Sequence, residues 1–288
     1  MATVELASVR KPSKTSANLS LYYLLFFLSG FPALLYQIVW QRALFTLYGV
    51  NIESVTMIVT VFMLGLGLGS LAGGQLSSHP KINPLLWFGL IESSIGLFGI
   101  FSLSIFHRVG ELTAGGSAMA TGAIAFGLLL VPTLLMGSTL PLLAEHAVRS
   151  TGNVGESVGL LYSVNTFGSG VACLAAAYFL MRLLGESGTV TVAFIFNLTV
   201  GATAVLLGFR KKDHTWKTTW TKPEADHRLI PASVGILLAG LVGFIALGYE
   251  IIWYRLFSFT SEGTAKCFAQ LLGFYLIGIG YGSLVLGK

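Results

Sequence analysis

"LLYQIVWQRAL" (residues 34–44) sets Gln37, Gln41 and Arg42 inside a run otherwise apolar enough to enter a bilayer, and nearly the same text returns as "LGYEIIWYRLF" at 247–257. Shifting the chain by 213 residues overlays the two stretches without a gap. Between Gly30 and Arg42, eight of thirteen positions are then identical, among them Gly30 with Gly243, Tyr36 with Tyr249, Trp40 with Trp253 and Arg42 with Arg255. The same shift aligns Gly65, Gly67, Gly69, Ser70 and Leu71 with Gly278, Gly280, Gly282, Ser283 and Leu284. One register kept across two segments marks a duplicated unit.

The chain around these copies has the composition of a membrane protein, with 54% hydrophobic and 10% charged residues in 288 positions. A hydrocarbon core roughly 30 Å thick asks for about 20 apolar residues per helix. Eight stretches meet this demand, at about 21–45, 52–76, 84–106, 117–143, 158–184, 187–209, 229–257 and 264–286. Their length and glycine content predict an all-α polytopic bundle, since barrel strands would be about 10 residues of alternating polarity. The first stretch follows a basic arm, but it is too long for a signal sequence and has no small-residue cleavage pattern, so it reads as a retained helix.

Lys and Arg set orientation because they are retained on the cytoplasmic side. The arm holds Arg10, Lys11 and Lys14, and the segment 210–228 holds Arg210, Lys211, Lys212, Lys217, Lys222 and Arg228. Six spans separate the two clusters, an even number, so both fall on the cytoplasmic side, and both termini with them. The net charge of +5 follows from this topology. No stacking platform or recognition motif accompanies it, so nucleic acid is excluded as a partner.

The organisation expected is a cytoplasmic basic arm (1–18), a six-helix membrane unit (19–209), a cytoplasmic basic linker (210–228) and the first two helices of a second, parallel repeat (229–288). Parallel six-helix repeats are the plan of major-facilitator-like transporters.

Six blocks in order, "SGFPALLYQIVWQRAL", "MLGLGLGSLAGGQL", "LIESSIGLFGI", "LLVPTLLMGSTLPLLAEH", "VGLLYSVNTFGSGVACLAAAYFL" and "FNLTVGATAVLLG", resemble the membrane half of the bacterial fused major facilitator/spermidine synthase family. The resemblance spans roughly residues 20–288. It implies a multi-pass protein of the bacterial cytoplasmic (inner) membrane and a link to polyamines. In that family a soluble aminopropyltransferase-like domain of Rossmann type usually follows. This chain departs from the pattern in lacking that domain, in carrying Gln37 where members often show Glu, and in a loop "SSHPKINP" with Lys81 as its one basic residue.

The polar residues within spans are the candidate sites. Arg42 and Arg255 lie two residues beyond Trp40 and Trp253 near the outer helix ends, where they either snorkel to headgroups beside an aromatic belt or serve a cavity. Tyr36 and Gln37, with Tyr249 and Glu250, are expected to face a polar cavity between the repeats, with Trp40 at its outer rim. Glu92 follows "LLWFGLI", where an ionisable group is costly unless protonated, partnered or hydrated. Arg42 is a candidate partner for it. Asn165 and Ser169, spaced i, i+4, are either interhelical glue or cavity-lining.

The "GLGLGS" at 65–70 lacks the strand and polar loop of a phosphate site. Gly65, Gly69 and Gly73 instead form one small face for helix packing, and Gly278 and Gly282 are their counterparts. Pro132 and Pro141 are expected to kink the fourth span. Cys173 and Cys267 fall inside spans, with no disulfide framework, and no metal or cofactor motif occurs.

Three classes follow. A transporter-like module handling a small cation such as a polyamine is favoured by the repeat, by Glu92 and Glu250, and by the resemblance. An aminopropyltransferase is excluded for this chain, because the longest segment outside the bilayer, 210–228, is too short for a cofactor-binding domain. The alternative is a non-catalytic anchor or assembly subunit, completed by a second membrane chain or a soluble aminopropyltransferase-like partner.

Overall fold

A computed structural model describes residues 14–48, 51–79, 82–151, 154–210, 231–261 and 266–286. Most of the basic arm and the linker residues 211–228 lie outside the described residues. Those that are described form helices and no strand. The helices are α1 (Lys14–Tyr48), α2 (Asn51–Ser77), α3 (Pro84–Thr113), α4 (Ala118–Thr151), α5 (Val154–Ala175), α6 (Met181–Leu183), α7 (Gly185–Arg210), α8 (Ala232–Thr260) and α9 (Cys267–Leu286). A π-helical turn, Ala176–Leu180, joins α5 to α6, so the three make one rod. Eight helices are long and apolar enough to cross a membrane.

Local chemistry sets the joints. Asn83 starts α3 by accepting from the backbone N–H of Leu85 and Leu86 through Oδ1 at 3.1 and 3.3 Å, with Pro84 in the first turn, where its missing N–H costs nothing. Its Nδ2 donates to the Gly208 carbonyl at 3.0 Å, tying the start of α3 to the end of α7. Gly185 turns the chain from α6 into α7 with φ of 66°, a conformation that a side chain would strain. α4 runs through both Pro132 and Pro141 as one helix.

The packing pattern has internal order. α2 packs on α4 and α1 on α5, α3 on α4 and α1 on α7, α1 on α2 and α4 on α5, while α3 packs on α7. Exchanging α1 with α4, α2 with α5 and α3 with α7 swaps the first six of these pairings in twos and returns α3–α7 to itself, while the smaller α1–α3 contact has no comparable α4–α7 counterpart among the described residues. The main contacts of the six-helix unit thus follow a pattern of two three-helix halves. α9 joins it by packing along α5.

Close approaches are made at small residues. A Cβ built on Gly65, Gly69 or Gly73 would overlap Thr133, Leu134 or Ser138 of α4, and one on Gly137 would overlap the Leu66 backbone. The counterparts in α9 differ. Gly278 and Gly282 meet nothing within 4 Å, whereas Gly280 contacts the Phe167 ring of α5. The expectation that Gly278 and Gly282 sit at a helix contact is thus corrected, because α9 turns its Gly280 side to α5.

α8 is the least enclosed of the eight long helices. None of its most apolar window is buried, and α9 is the only element with which it makes a substantial contact among the described residues. Only toward its end do Glu250 and Tyr254, one turn apart, turn inward, with Tyr254 edge-on to Phe268 at 5.8 Å.

Candidate functional site: an acidic intramembrane cavity

A cavity of about 390 Å³ is lined by residues from all eight spans. Its walls are largely aliphatic and aromatic, including Leu34, Phe62, Ile95, Met136, Leu272 and Leu276. Set into them are Ser29 and Gln37 from α1, Glu92 from α3, Thr139 from α4, Asn165 and Thr166 from α5, Asn197 from α7, Glu250 from α8 and Tyr275 from α9. None of the lining residues is Lys, Arg or His. Two carboxyl groups with no basic counterpart among the lining residues give the cavity an acidic, acceptor-rich character.

Glu92 is 1% exposed and is held from two sides. The Ser29 hydroxyl donates to Oε1 at 2.5 Å, and the Asn197 amide donates to Oε2 at 2.6 Å. Hydrogen bonds to a charged group contribute about 1.5–3 kcal/mol each, which offsets part of the several kcal/mol that burying a carboxylate costs. Both partners are neutral, so neither supplies a counter-charge. The Asn197 Oδ1 atom is buried and has no hydrogen-bond partner among the described residues. The pairing of Glu92 with Arg42 is therefore corrected. Arg42 instead meets Glu186 at the start of α7, Nε to Oε1 at 3.2 Å, with both side chains about two-fifths exposed (37% and 38%).

Asn165 reaches across to α1, donating from Nδ2 to the Phe26 carbonyl at 3.0 Å, and Ser169 donates to the Gly30 carbonyl at 3.0 Å. Their i, i+4 spacing places both on the α1 side of α5, where Gly30 and Gly168 permit close backbone approach. Both residues also line the cavity, so the same stripe fastens two helices and forms a wall.

The opening motif divides its residues. Gln37 faces the cavity, whereas Tyr36 is fully buried behind it, its ring stacked on Trp40 with centroids 5.2 Å apart and its hydroxyl without a hydrogen-bond partner among the described residues. Trp40 is not at an outer rim. It is wholly enclosed, with Nε1 donating to Ser102 Oγ at 2.8 Å and the rings of Phe62, Phe98 and Phe106 around it. In the second copy Glu250 faces the cavity, but Tyr249 and Trp253 are more than half exposed, at 56% and 53%. Arg255 is also exposed and makes no ion pair among the described residues. Identical residues thus differ in environment, because α1 is surrounded by neighbours and α8 is not.

Sequence reasoning named Gln37, Glu92, Asn165 and Glu250 and missed Ser29, Asn197 and Glu186. "FNLTVG" did contain a signal for Asn197, an amide in the middle of an apolar span. Cys173 and Cys267 are buried and not joined in a disulfide, and the described residues contain no group of His, Cys, Asp or Glu suited to a metal.

Two curated proteins of Streptomyces coelicolor are similar to this chain. Polyamine aminopropyltransferase 2 is 29% identical over 180 residues, covering 60% of this chain and 31% of the relative. Polyamine aminopropyltransferase 1 is 25% identical over 168 residues, covering 58% of this chain and 30% of the relative. The matched segment thus spans under a third of each relative's length. No protein-family model matches the chain, and no solved structure matches it.

Proposed function

We propose that this chain is a multi-pass membrane module of transporter type that binds a small organic cation of the polyamine class in the cavity between the six-helix unit and α8–α9. The observation that carries the reading is the cavity's chemistry: Glu92 and Glu250 on opposing elements, neutral acceptors between them, aliphatic walls and no basic lining residue. An ammonium-bearing aliphatic chain complements each feature. Its charged ends meet the carboxylates and its methylenes meet the apolar walls, whereas an anion would find no donor of opposite charge.

The 213-residue repeat and the exchange pattern of the helix pairings support a major-facilitator-like plan with a binding site at the repeat interface. The similarity to two proteins named polyamine aminopropyltransferases supports the polyamine class and membership in the membrane half of the fused family. The basic arm and linker argue for a cytoplasmic location of those segments in a bacterial inner membrane.

A second reading, an anchor or assembly subunit, is favoured by one observation. α8 presents nearly its whole circumference outward from Ser233 to Ile245, as a helix awaiting neighbours would. In that reading a second membrane chain or a soluble aminopropyltransferase-like partner completes the assembly.

Equilibrium binding of radiolabelled spermidine to the purified chain in detergent tests the first reading. Saturable binding, weakened at least about tenfold in Glu250→Gln and in Glu92→Gln, is the expected result, a factor of ten being about 1.4 kcal/mol. Absence of binding, or wild-type affinity in both variants, overturns it.

A further inference from the structure

The 213-residue repeat reappears in the walls of the cavity. Ala33, Leu34 and Gln37 of α1 line it, and so do their counterparts Ala246, Leu247 and Glu250 of α8. At the same shift, Phe62, Met63 and Leu66 of α2 line it together with Tyr275, Leu276 and Ile279 of α9. Both copies therefore turn the same two helix faces to the ligand space. Four of these six pairs are apolar on both sides. The pairs that differ in polarity are Gln37 with Glu250 and Phe62 with Tyr275, and in each the second copy carries the more polar group.

We propose that Gln37, Glu250 and Tyr275 form a subsite for a primary ammonium group, so that the cavity selects this ligand end over a quaternary ammonium. The inference rests on the organic-cation reading and names the groups that hold one charged end of the ligand.

Two of the three side chains are deep and open only to the cavity. Gln37 is 4% and Glu250 9% exposed, yet neither side chain makes a hydrogen bond or ion pair among the described residues. Polar groups this buried are ordinarily paired, so both are poised for a ligand. Glu92 differs, because Ser29 and Asn197 already donate to its two oxygens. Tyr275 is half-buried, lies within electrostatic reach of Glu250, and makes no hydrogen bond through its hydroxyl among the described residues.

The chemistry of these groups fits three N–H donors on one nitrogen. The Glu250 carboxylate, the Gln37 carbonyl Oε1 and the Tyr275 hydroxyl oxygen each accept one. The carboxylate also supplies the counter-charge, and a cation held against it keeps it ionised. A trimethylated nitrogen carries the same charge but no N–H, so it leaves all three acceptors without a donor, the situation in which a polar site discriminates most strongly. Phe62 and the aliphatic pairs are left to meet the methylenes.

The test measures displacement of radiolabelled spermidine from the full chain in detergent, with butylamine and butyltrimethylammonium as competitors. Butylamine should act at a concentration at least about tenfold lower, since a hydrogen bond to a charged group carries roughly a ten- to hundredfold change in affinity. Tyr275→Phe and Gln37→Met should each weaken spermidine binding by about tenfold and narrow the preference for the primary amine, which separates hydrogen bonding from ligand size. Combining Gln37→Glu with Glu250→Gln moves the carboxyl to the counterpart position and should recover most of the binding that Glu250→Gln alone loses. If Gln37→Met fails to fold, Tyr275→Phe and the exchanged pair carry the test. Equal displacement by the two competitors, a preference unchanged in the variants, or an exchanged pair no better than Glu250→Gln alone overturns the subsite. Any of these results with spermidine still bound by the wild-type chain leaves the organic-cation reading standing, whereas a wild-type chain that binds no spermidine defeats both.

Discussion

Replacing Gly69 by Ala adds one methyl group at a close seam between α2 and α4. The new Cβ would overlap the Leu134 carbonyl and lie 3.0 Å from Gly137 Cα, so the obstacle is backbone on α4, which cannot turn aside as a side chain would. α2 and α4 must separate, and overpacking of this kind costs about 1–3 kcal/mol. Gly67 sits two residues earlier on the same helix, and a Cβ there meets nothing within 4 Å. Both substitutions gain the same helix propensity, about 0.5–1 kcal/mol for Gly to Ala, so the difference between the variants isolates the packing term. At roughly 2–4 °C per kcal/mol for a domain of about this size, Gly69→Ala should unfold roughly 2–12 °C below Gly67→Ala. Gly69→Leu should fail to yield a stable protein. Thermal unfolding in detergent, followed by intrinsic fluorescence, reads the gap. Equal midpoints for the two alanine variants would falsify the account of the α2–α4 seam.

Ser102→Ala leaves the enclosed Trp40 Nε1 without its acceptor and should cost about 1–3 kcal/mol in unfolding, accompanied by a change in tryptophan emission; wild-type stability would show that the bond contributes nothing. Arg42→Gln removes a partly solvated ion pair with Glu186, so stability should fall by no more than about 1 kcal/mol, and a larger loss would mean that Arg42 does more than the geometry assigns it. A cysteine placed at Thr218, which lies outside the described residues, should resist a membrane-impermeant thiol reagent in intact cells, and strong labelling would reverse the proposed orientation.

The spans were legible because bilayer thickness imposes a length and a polarity that the text shows directly, and the eight apolar stretches correspond to the eight long helices. The rotation of each helix was not. These segments are apolar on most faces, so they carry little periodicity to separate inside from lipid, and rotation is set by packing. Trp40 illustrates the limit: beside Arg42 it reads as an interfacial residue, yet Ser102, 62 positions away, and three phenylalanines enclose it. Glu92 was conspicuous for its charge, but its partners Ser29 and Asn197 lie 63 and 105 positions away and are ordinary residues until the fold brings them together. The repeat was equally visible and equally incomplete as a guide. Tyr249 and Arg255 match Tyr36 and Arg42 in type, but α8 lacks the neighbours that bury α1.

Photo-crosslinking tests the acidic cavity most directly. A photoreactive polyamine analogue is irradiated with the purified chain, and the modified peptides are identified by mass spectrometry with and without excess spermidine. Modification should concentrate on the cavity faces of α5 and α9, around Tyr162 and Tyr275, and disappear with competitor. Labelling confined to exposed positions such as Tyr249 and Trp253, or labelling that spermidine does not suppress, would contradict the claim that this cavity holds an organic cation.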